Sequence, residues 1–320
     1  MNDESMLVLS VDRDEQLATR AAWFYFVAGL TQAQIGKKLG INRIRVNRLL
    51  AQAREQGMVQ IRITGRLADC IELENRIKER FGLEQAIIVP TPPDQALVRH
   101  VIGAAAGNAL AERLKDGMSV GVGWGATLHM SLKALGGQPC QRLSVVSLLG
   151  GMTHSRAVNP SAVARRIADA FGADCYQLTA PVMVANESVR AALWSEPGLR
   201  ELLERARRVD LALVSVGDVS EEATLFRQGL LPRPALASLQ AAGAVGDVLC
   251  HFIDAEGKVV DHPVNRRVVA VDLDDLRRVP RIVVAAGGRR KVAAIRAALK
   301  GTGAGVLITD EGAARGLLGI

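Results

Sequence analysis

The sequence predicts an α/β chain in two parts: a small N-terminal helix-turn-helix module of winged-helix type, then a large domain on a mostly parallel sheet. Three observations predict this. The 320 residues exceed a single typical domain of roughly 100–200. Basic side chains crowd into residues 31–66. Beyond Pro93, short continuous apolar segments alternate with helical patterns, as expected for parallel strands covered on both faces.

Composition narrows the class further. With 49% hydrophobic, 3% aromatic and 23% charged residues, the chain is neither disordered, collagen-like nor a coiled-coil array. Its longest apolar run, Ala21 to Leu30, falls well short of the roughly 20 residues of a membrane span. Asp3, Glu4, Asp12, Asp14 and Glu15 make the first residues unlike a secretory leader, so a soluble cytoplasmic protein is expected. Cys70, Cys140, Cys175 and Cys250 lie too far apart for a zinc knuckle or redox pair. They read as thiols of a reducing compartment, and neither metal nor cofactor is expected.

Arg13 to Ala28 places Leu17, Ala21, Phe24 and Ala28 at helical spacing and meets a stop at Gly29. Thr31 stands as an N-cap before Gln32, and Gln34 at the third helical position completes a capping box. The helix Gln32–Leu39 is expected to bury Ile35 and Leu39 and to end at Gly40, suited to a left-handed turn. Asn42 caps the next helix, Arg43 to about Gln56, with Val46, Leu49, Leu50 and Ala53 on its inner face. Two short helices across a glycine-containing turn form a helix-turn-helix unit. Val59 to Thr64 alternates like the strand of a wing.

Residues 31–66 hold eight Lys or Arg against one acid, a local excess equal to the net charge of +7 of the whole chain. Such a field attracts a polyanion, with nucleic acid the usual one, although charge alone also fits a solvated helix face. The pattern beneath the charge favours the first reading. Ile44 and Arg48 fall opposite the inner face of the second helix, with Arg43, Arg45 and Asn47 on its flanks. Recognition helices contact bases mainly through their first turns. Arg43 or Arg48 suits guanine, Asn47 suits adenine, and Ile44 suits a thymine methyl. Arg45, Arg54 and the capping amides around Thr31, Gln32 and Asn42 suit phosphates.

Residues 69–81 read as a linking helix, and Pro90, Pro92 and Pro93 mark a boundary. The expected division is a DNA-binding module at 1–65 and a large α/β domain at 66–320, with 66–92 as the link. Strands are expected at Met118–Gly123, Leu143–Leu149, Cys175–Leu178, Leu211–Val216, Val248–Ile253, Val268–Val271, Ile282–Ala286 and Gly305–Ile308. Helices are expected at 94–115, from Thr127, at Pro160–Phe171, and near 198–208, 288–300 and 310–318. In sheets of this kind ligands bind beyond the carboxyl ends of the strands.

Four loops offer site chemistry, each reading equally well as a structural turn. In Gly121-Val-Gly-Trp-Gly-Ala-Thr127, Gly123 and Gly125 let backbone amides approach an anion and Thr127 adds a hydroxyl. The loop is neither a dinucleotide fingerprint nor a Walker loop. Gly150 and Gly151 again permit close approach. In Gly243-Ala-Val-Gly-Asp247, Asp247 can accept hydrogen bonds from hydroxyls. In Gly287-Gly-Arg-Arg-Lys291, Lys291 opposes the helix dipole, which an anionic partner would explain.

In this order the motifs resemble the SorC-type sugar-responsive bacterial transcription regulators. The resemblance rests on Leu30-Thr-Gln-Ala-Gln-Ile-Gly-Lys-Lys-Leu-Gly40, Val46-Asn-Arg-Leu-Leu50, Val122-Gly-Trp-Gly-Ala-Thr127, Leu148-Leu-Gly-Gly151, Gly243-Ala-Val-Gly-Asp247, Ala286-Gly-Gly-Arg-Arg-Lys291 and Leu307-Ile-Thr-Asp-Glu311. It covers nearly the whole chain. It implies an effector domain related in fold to sugar-phosphate isomerases and deaminases, a sugar, sugar-phosphate or polyol ligand, and a homodimer or homotetramer on operator DNA. It also implies that Gly123, Gly125 and Thr127 form a phosphate-type loop, with Gly150, Gly151, Asp247 and Lys291 as further contacts. Arg45 and Asn47 depart from the small hydroxyl residues of the family pattern, so no operator sequence carries over. His129 follows the phosphate-type loop and either contacts ligand or packs.

The alternative is a sugar-phosphate isomerase or deaminase that carries a DNA-binding module. The related deaminases would show an Asp-Gly-His run followed by Asn-Glu, whereas the comparable strand end reads Val214-Ser-Val-Gly-Asp-Val219. Asp310 and Glu311 are carboxylates at an expected helix start, where acids are favoured for structural reasons. A non-enzymatic, ligand-gated DNA-binding protein is therefore the expectation.

Overall fold

A computed structural model describes residues 13–59, 68–136, 139–152 and 159–320. The chain divides into two compact units, Met1–Thr64 and Gly65–Ile320.

In the first unit α1 (Arg13–Phe26), α2 (Gln32–Leu39) and α3 (Arg43–Glu55) enclose one small core. Ile35 shares this core with Val46, Leu49, Leu50 and Ala53 of α3 and Ala18, Ala21 and Ala22 of α1. The inner face of α1 is thus set by alanines, with Leu17 and Phe24 only half-buried and Ala28 beyond the helix end. Gly36 is buried within α2, where an added Cβ would lie 2.7 Å from the Ile41 carbonyl oxygen. The strand expected at Val59–Thr64 falls, from residue 60 on, outside the described residues.

The second unit is built on a seven-stranded sheet, parallel throughout. Its strands are β1 (Gln85–Val89), β2 (Ser119–Val122), β3 (Ser144–Ser147), β4 (Asp174–Tyr176), β5 (Leu211–Val214), β9 (Ile282–Ala285) and β10 (Val306–Asp310). A separate antiparallel sheet comprises β6 (Val216–Asp218), β7 (Gly246–Val248) and β8 (His251–Ile253). The helices are α4 (Ala68–Phe81), α5 (Val98–Arg113), α6 (Ala126–Ser131), α7 (Pro160–Phe171), α8 (Glu187–Ser195), α9 (Pro197–Ala206), α10 (Thr224–Arg227), α11 (Pro234–Ala241), α12 (Leu273–Leu276), α13 (Val292–Thr302) and α14 (Glu311–Leu318).

The strand order is β1-β10-β9-β5-β2-β3-β4. From β2 the chain steps outward to β3 and β4, whereas from β5 it steps the other way to β9 and β10. The order therefore reverses between β2 and β5, which pair in parallel through Val120 with Leu211 and Val122 with Leu213. A reversal of this kind opens a crevice beyond the strand ends. Apolar clusters cover both faces of the sheet, so the strands read as continuous apolar runs.

Three sequence expectations change. The expected linking helix is a core element: Cys70, Leu73 and Ile77 of α4 enter the core of the second unit, and β1, which follows it, pairs with β10 along five residues. The expected strand Val248–Ile253 is a hairpin instead, β7 and β8, turned at Leu249 and Cys250 with φ of 51° and 67°. Residues 268–271 contribute only isolated bridges, Val268 to Met183 and Ala270 to Leu149.

Candidate functional site

In the first unit the helix-turn-helix is capped at both entrances. Thr31 and Gln34 form the reciprocal capping box of α2, Gly40 ends it in the left-handed region, and Asn42 Oδ1 accepts the Arg45 amide at 2.8 Å. These caps fix the angle at which the first turn of α3 leaves the module. Ile44 is 68% exposed although it is a large aliphatic, and Arg43, Arg45, Asn47 and Arg48 surround it on the exposed side. Gln32 joins the two helices across this face, donating to Asn47 Oδ1 and accepting from Arg43 Nε, each at 3.4 Å. Arg45 is tied to Asp14 of α1 at 3.0 Å. Arg48 therefore stands beside Ile44 on a face whose other polar groups are braced.

In the second unit a cavity of about 610 Å³ opens beyond the ends of β2, β5 and β9, at the reversal of strand order. From β2 come Trp124, Gly125, Ala126 and Thr127; from β5 and β6 come Ser215, Val216, Gly217 and Asp218; from the loop after β9 come Gly287 to Lys291. Asp247 reaches it from β7. Of the seven residues proposed from sequence, Gly125, Thr127, Asp247 and Lys291 line the cavity.

Gly123, Gly150 and Gly151 are not among its lining residues. The amide of Gly123 donates to Leu213 O at 2.9 Å, that of Gly150 to Val269 O at 2.9 Å, and that of Gly151 to Ala180 O at 2.8 Å. A Cβ on Gly150 would lie 2.5 Å from Ala180 O, so its missing side chain serves the approach of another chain segment. The physical reason is topological: β3 lies on the far side of β2 from the reversal, so its loop opens elsewhere. The third loop is also not a strand-to-helix loop, because Gly246 and Asp247 lie within β7.

The cavity wall carries a compact charge cluster. Lys291 Nζ donates to Val216 O at 2.7 Å and is held by the charges of Asp218 and Asp247. Burial pushes the Asp247 carboxyl up to about 6; Lys291 and the Cys250 amide oppose that shift, and Asp218 adds to it. Burial likewise lowers Lys291, with the two aspartates pulling it back. Arg99, Arg227, Arg289 and Arg290 stand around the same cavity. One wall thus offers carboxylates able to accept hydroxyl hydrogens, and the surroundings offer cations able to meet an anion.

His129 lies on α6 and is not among the lining residues. Burial lowers its pKa, and its Nδ1 has no hydrogen-bond partner among the described residues.

The family model described as "Putative sugar-binding domain" matches residues 65–319. The erythritol catabolism regulatory protein EryD of Brucella abortus is 34% identical over 310 residues, 96% of this chain and 98% of that protein. The full-length sorbitol operon regulator SorC of Klebsiella pneumoniae shares the fold, with a TM-score of 0.71 at 24% identity over 96% of this chain and all of its own.

The chain belongs to the SorC-type sugar-binding transcriptional regulators.

Another relative of this SorC-type chain, the deoxyribonucleoside regulator of Bacillus subtilis, is 36% identical over 311 residues, 96% of this chain and 99% of that protein. No helix among the described residues is long and apolar enough to cross a membrane. Within this SorC-type chain the sequence reading missed Asp218, Ser215, Glu222 and the cavity arginines. A signal existed for the first two: the apolar strand Leu211–Val214 ends in Ser-Val-Gly-Asp, polar and small residues at a strand end. No comparable signal marks Arg99 or Arg227, which line the cavity from α5 and α10.

Proposed function

We propose that this chain is an effector-gated regulator of a carbohydrate or polyol catabolic operon. Residues 1–65 hold operator DNA through Arg43, Ile44, Asn47 and Arg48, with Thr31, Gln32, Asn42 and Arg45 positioning the module on phosphates. Residues 66–320 bind the effector and join copies of the chain. The effector is a small polyhydroxylated molecule, most readily a sugar phosphate. Asp218 and Asp247 accept from its hydroxyls, while Thr127, Lys291 and the surrounding arginines meet its anionic end.

The observation that carries this reading is the cavity at the strand-order reversal, with paired carboxylates and a lysine on one wall among cations. Binding there would shift the spacing of paired recognition helices, whose half-sites lie about one 34–36 Å helical turn apart or a multiple of it. The protein works in the cytoplasm as a homo-oligomer and is not an enzyme. Its regulator relatives support that last point, as does the engagement of Lys291 and Asp247 with main-chain groups.

The test is a thermal-shift screen of sugars, polyols and their phosphates, followed by turnover assays on every hit. A ligand that binds the native state raises its melting temperature. A hit that is bound and not converted supports the proposal; steady product formation abolished by Asp247→Ala would replace it with the enzyme.

A further inference from the structure

The run Leu307-Ile-Thr-Asp-Glu311 contributes no residue to the cavity lining, yet its aspartate is held in an unusual way. Asp310 ends β10, stands at the N-cap position of α14, and is 1% exposed. An aspartate there ordinarily caps its own helix. This one makes no such bond. The Gly312 amide in the first turn of α14 donates instead to Thr91 Oγ1 at 2.7 Å, from the segment that follows β1.

Relieved of capping, the Asp310 carboxylate reaches across to the loop after β9. Its Oδ1 accepts the Gly288 amide at 2.6 Å, and its Oδ2 accepts the Thr91 hydroxyl at 2.7 Å. The neighbouring Gly287 leaves room for this, since a side chain there would overlap both Asp310 Oδ1 and Ile102 Cδ1. Gly288 has φ of 91° and caps the turn Arg289–Lys291, whose last amide donates back to Gly288 O at 3.0 Å. From that turn Lys291 enters the cavity. The buried carboxylate is thus not among the residues that line the cavity; it fixes the peptide from which Lys291 and its neighbouring arginines project. Keeping an ionisable group at such a site is costly unless its oxygens are bonded, and both are.

We infer that Asp310 is a positioning residue for effector capture: with Thr91 as its brace, it holds Gly287–Lys291 in the shape that presents Lys291 and its neighbouring arginines to the cavity. The inference rests on the proposal that this cavity takes an anionic effector.

The experiment titrates inorganic phosphate into the full-length protein and follows the melting temperature. It compares the wild type, Asp310→Ala, Thr91→Val and Thr91→Ser, with Lys291→Met as the reference for a lost site. Thr91→Val deletes the brace without touching the loop, and Thr91→Ser keeps the hydroxyl, so the pair decides the matter even if Asp310→Ala fails to fold. The phosphate concentration for half-maximal shift is expected to rise at least tenfold in Asp310→Ala and Thr91→Val, and to stay within twofold of wild type in Thr91→Ser. Variants that melt earlier yet keep the wild-type phosphate midpoint would show Asp310 and Thr91 to be structural only, and would overturn the inference. A wild type that ignores phosphate while Lys291→Met matches it would instead remove the anionic reading of the cavity on which the inference stands.

Discussion

Gly217 of β6 lies directly across the ladder from Asp247 of β7, and the Asp247 carboxylate fills the space that a side chain at position 217 would need. The strand that follows the central sheet therefore carries a glycine so that its partner can turn a carboxylate into the cavity. Gly217→Ala is expected to force that carboxylate out of place and to destabilise the protein by about 1–3 kcal/mol, the usual penalty of overpacking. It should also abolish the effector-induced thermal shift. Denaturant titration and the shift assay check the two parts, and an alanine variant with wild-type stability and response would refute the packing relationship.

Stability against pH should reveal two buried groups acting in opposite directions. Burial raises Asp247 from 3.8 to about 6, so folding takes up a proton and its contribution is lost as pH rises through that window. Burial lowers His251 from 6.5 to about 4, with Asp272 opposing, so its contribution is lost as pH falls from 6.5 to 4. Each is on the order of 3 kcal/mol, and they offset one another in the wild type. Asp247→Asn should lose stability on acidification from pH 6.5 to 4, whereas His251→Asn should gain it from pH 6 to 4. Urea midpoints across pH 4–8 measure this, and identical profiles for the two variants would exclude it.

Arg48 and Arg45 should separate base reading from positioning. Arg45 is held by Asp14, while Arg48 stands beside exposed Ile44. Arg48→Ala is expected to weaken operator binding and relax base preference by about 1–3 kcal/mol at a single position. Arg45→Ala should weaken all sequences alike and flatten the salt dependence. Competition binding with single-base variants of the duplex checks both. Equal discrimination by wild type and Arg48→Ala would move the base contact elsewhere.

Lys291→Ala should leave DNA binding in place and abolish the response to effector, because it removes the cation that faces Asp218 and Asp247 in the cavity. A dose response of operator release measures it. An unchanged midpoint would take Lys291 out of the site.

Legibility in the sequence followed the range of the interactions. The helix-turn-helix was readable because its caps and inner face are local: Thr31, Gln34, Gly40 and Asn42 act within a few residues of themselves. Lys291 draws notice in the sequence because a lysine at a helix start calls for an anion, and the structure places it on the cavity wall. Gly150 and Gly151 could not be placed relative to the cavity from sequence, because close approach to main chain and close approach to ligand demand the same missing side chain, and only strand order separates them. The β7–β8 hairpin was invisible because Leu249 and Cys250 occupy turn positions with positive φ that short sequences normally give to Asn or Gly. Both side chains are buried, so core packing holds a turn that local preference would refuse. The Asp310 clasp joins residues more than two hundred positions apart, beyond any local pattern.

The most direct test of the central claim is fluorescence anisotropy of the full-length protein on duplex DNA from upstream of its own operon, at low salt, with and without the ligand found by thermal shift. Saturable binding that changes at least tenfold when the ligand is added, and does not change in Lys291→Ala, is the predicted result. Absence of binding under either condition, or binding indifferent to every ligand that stabilises the protein, would contradict it.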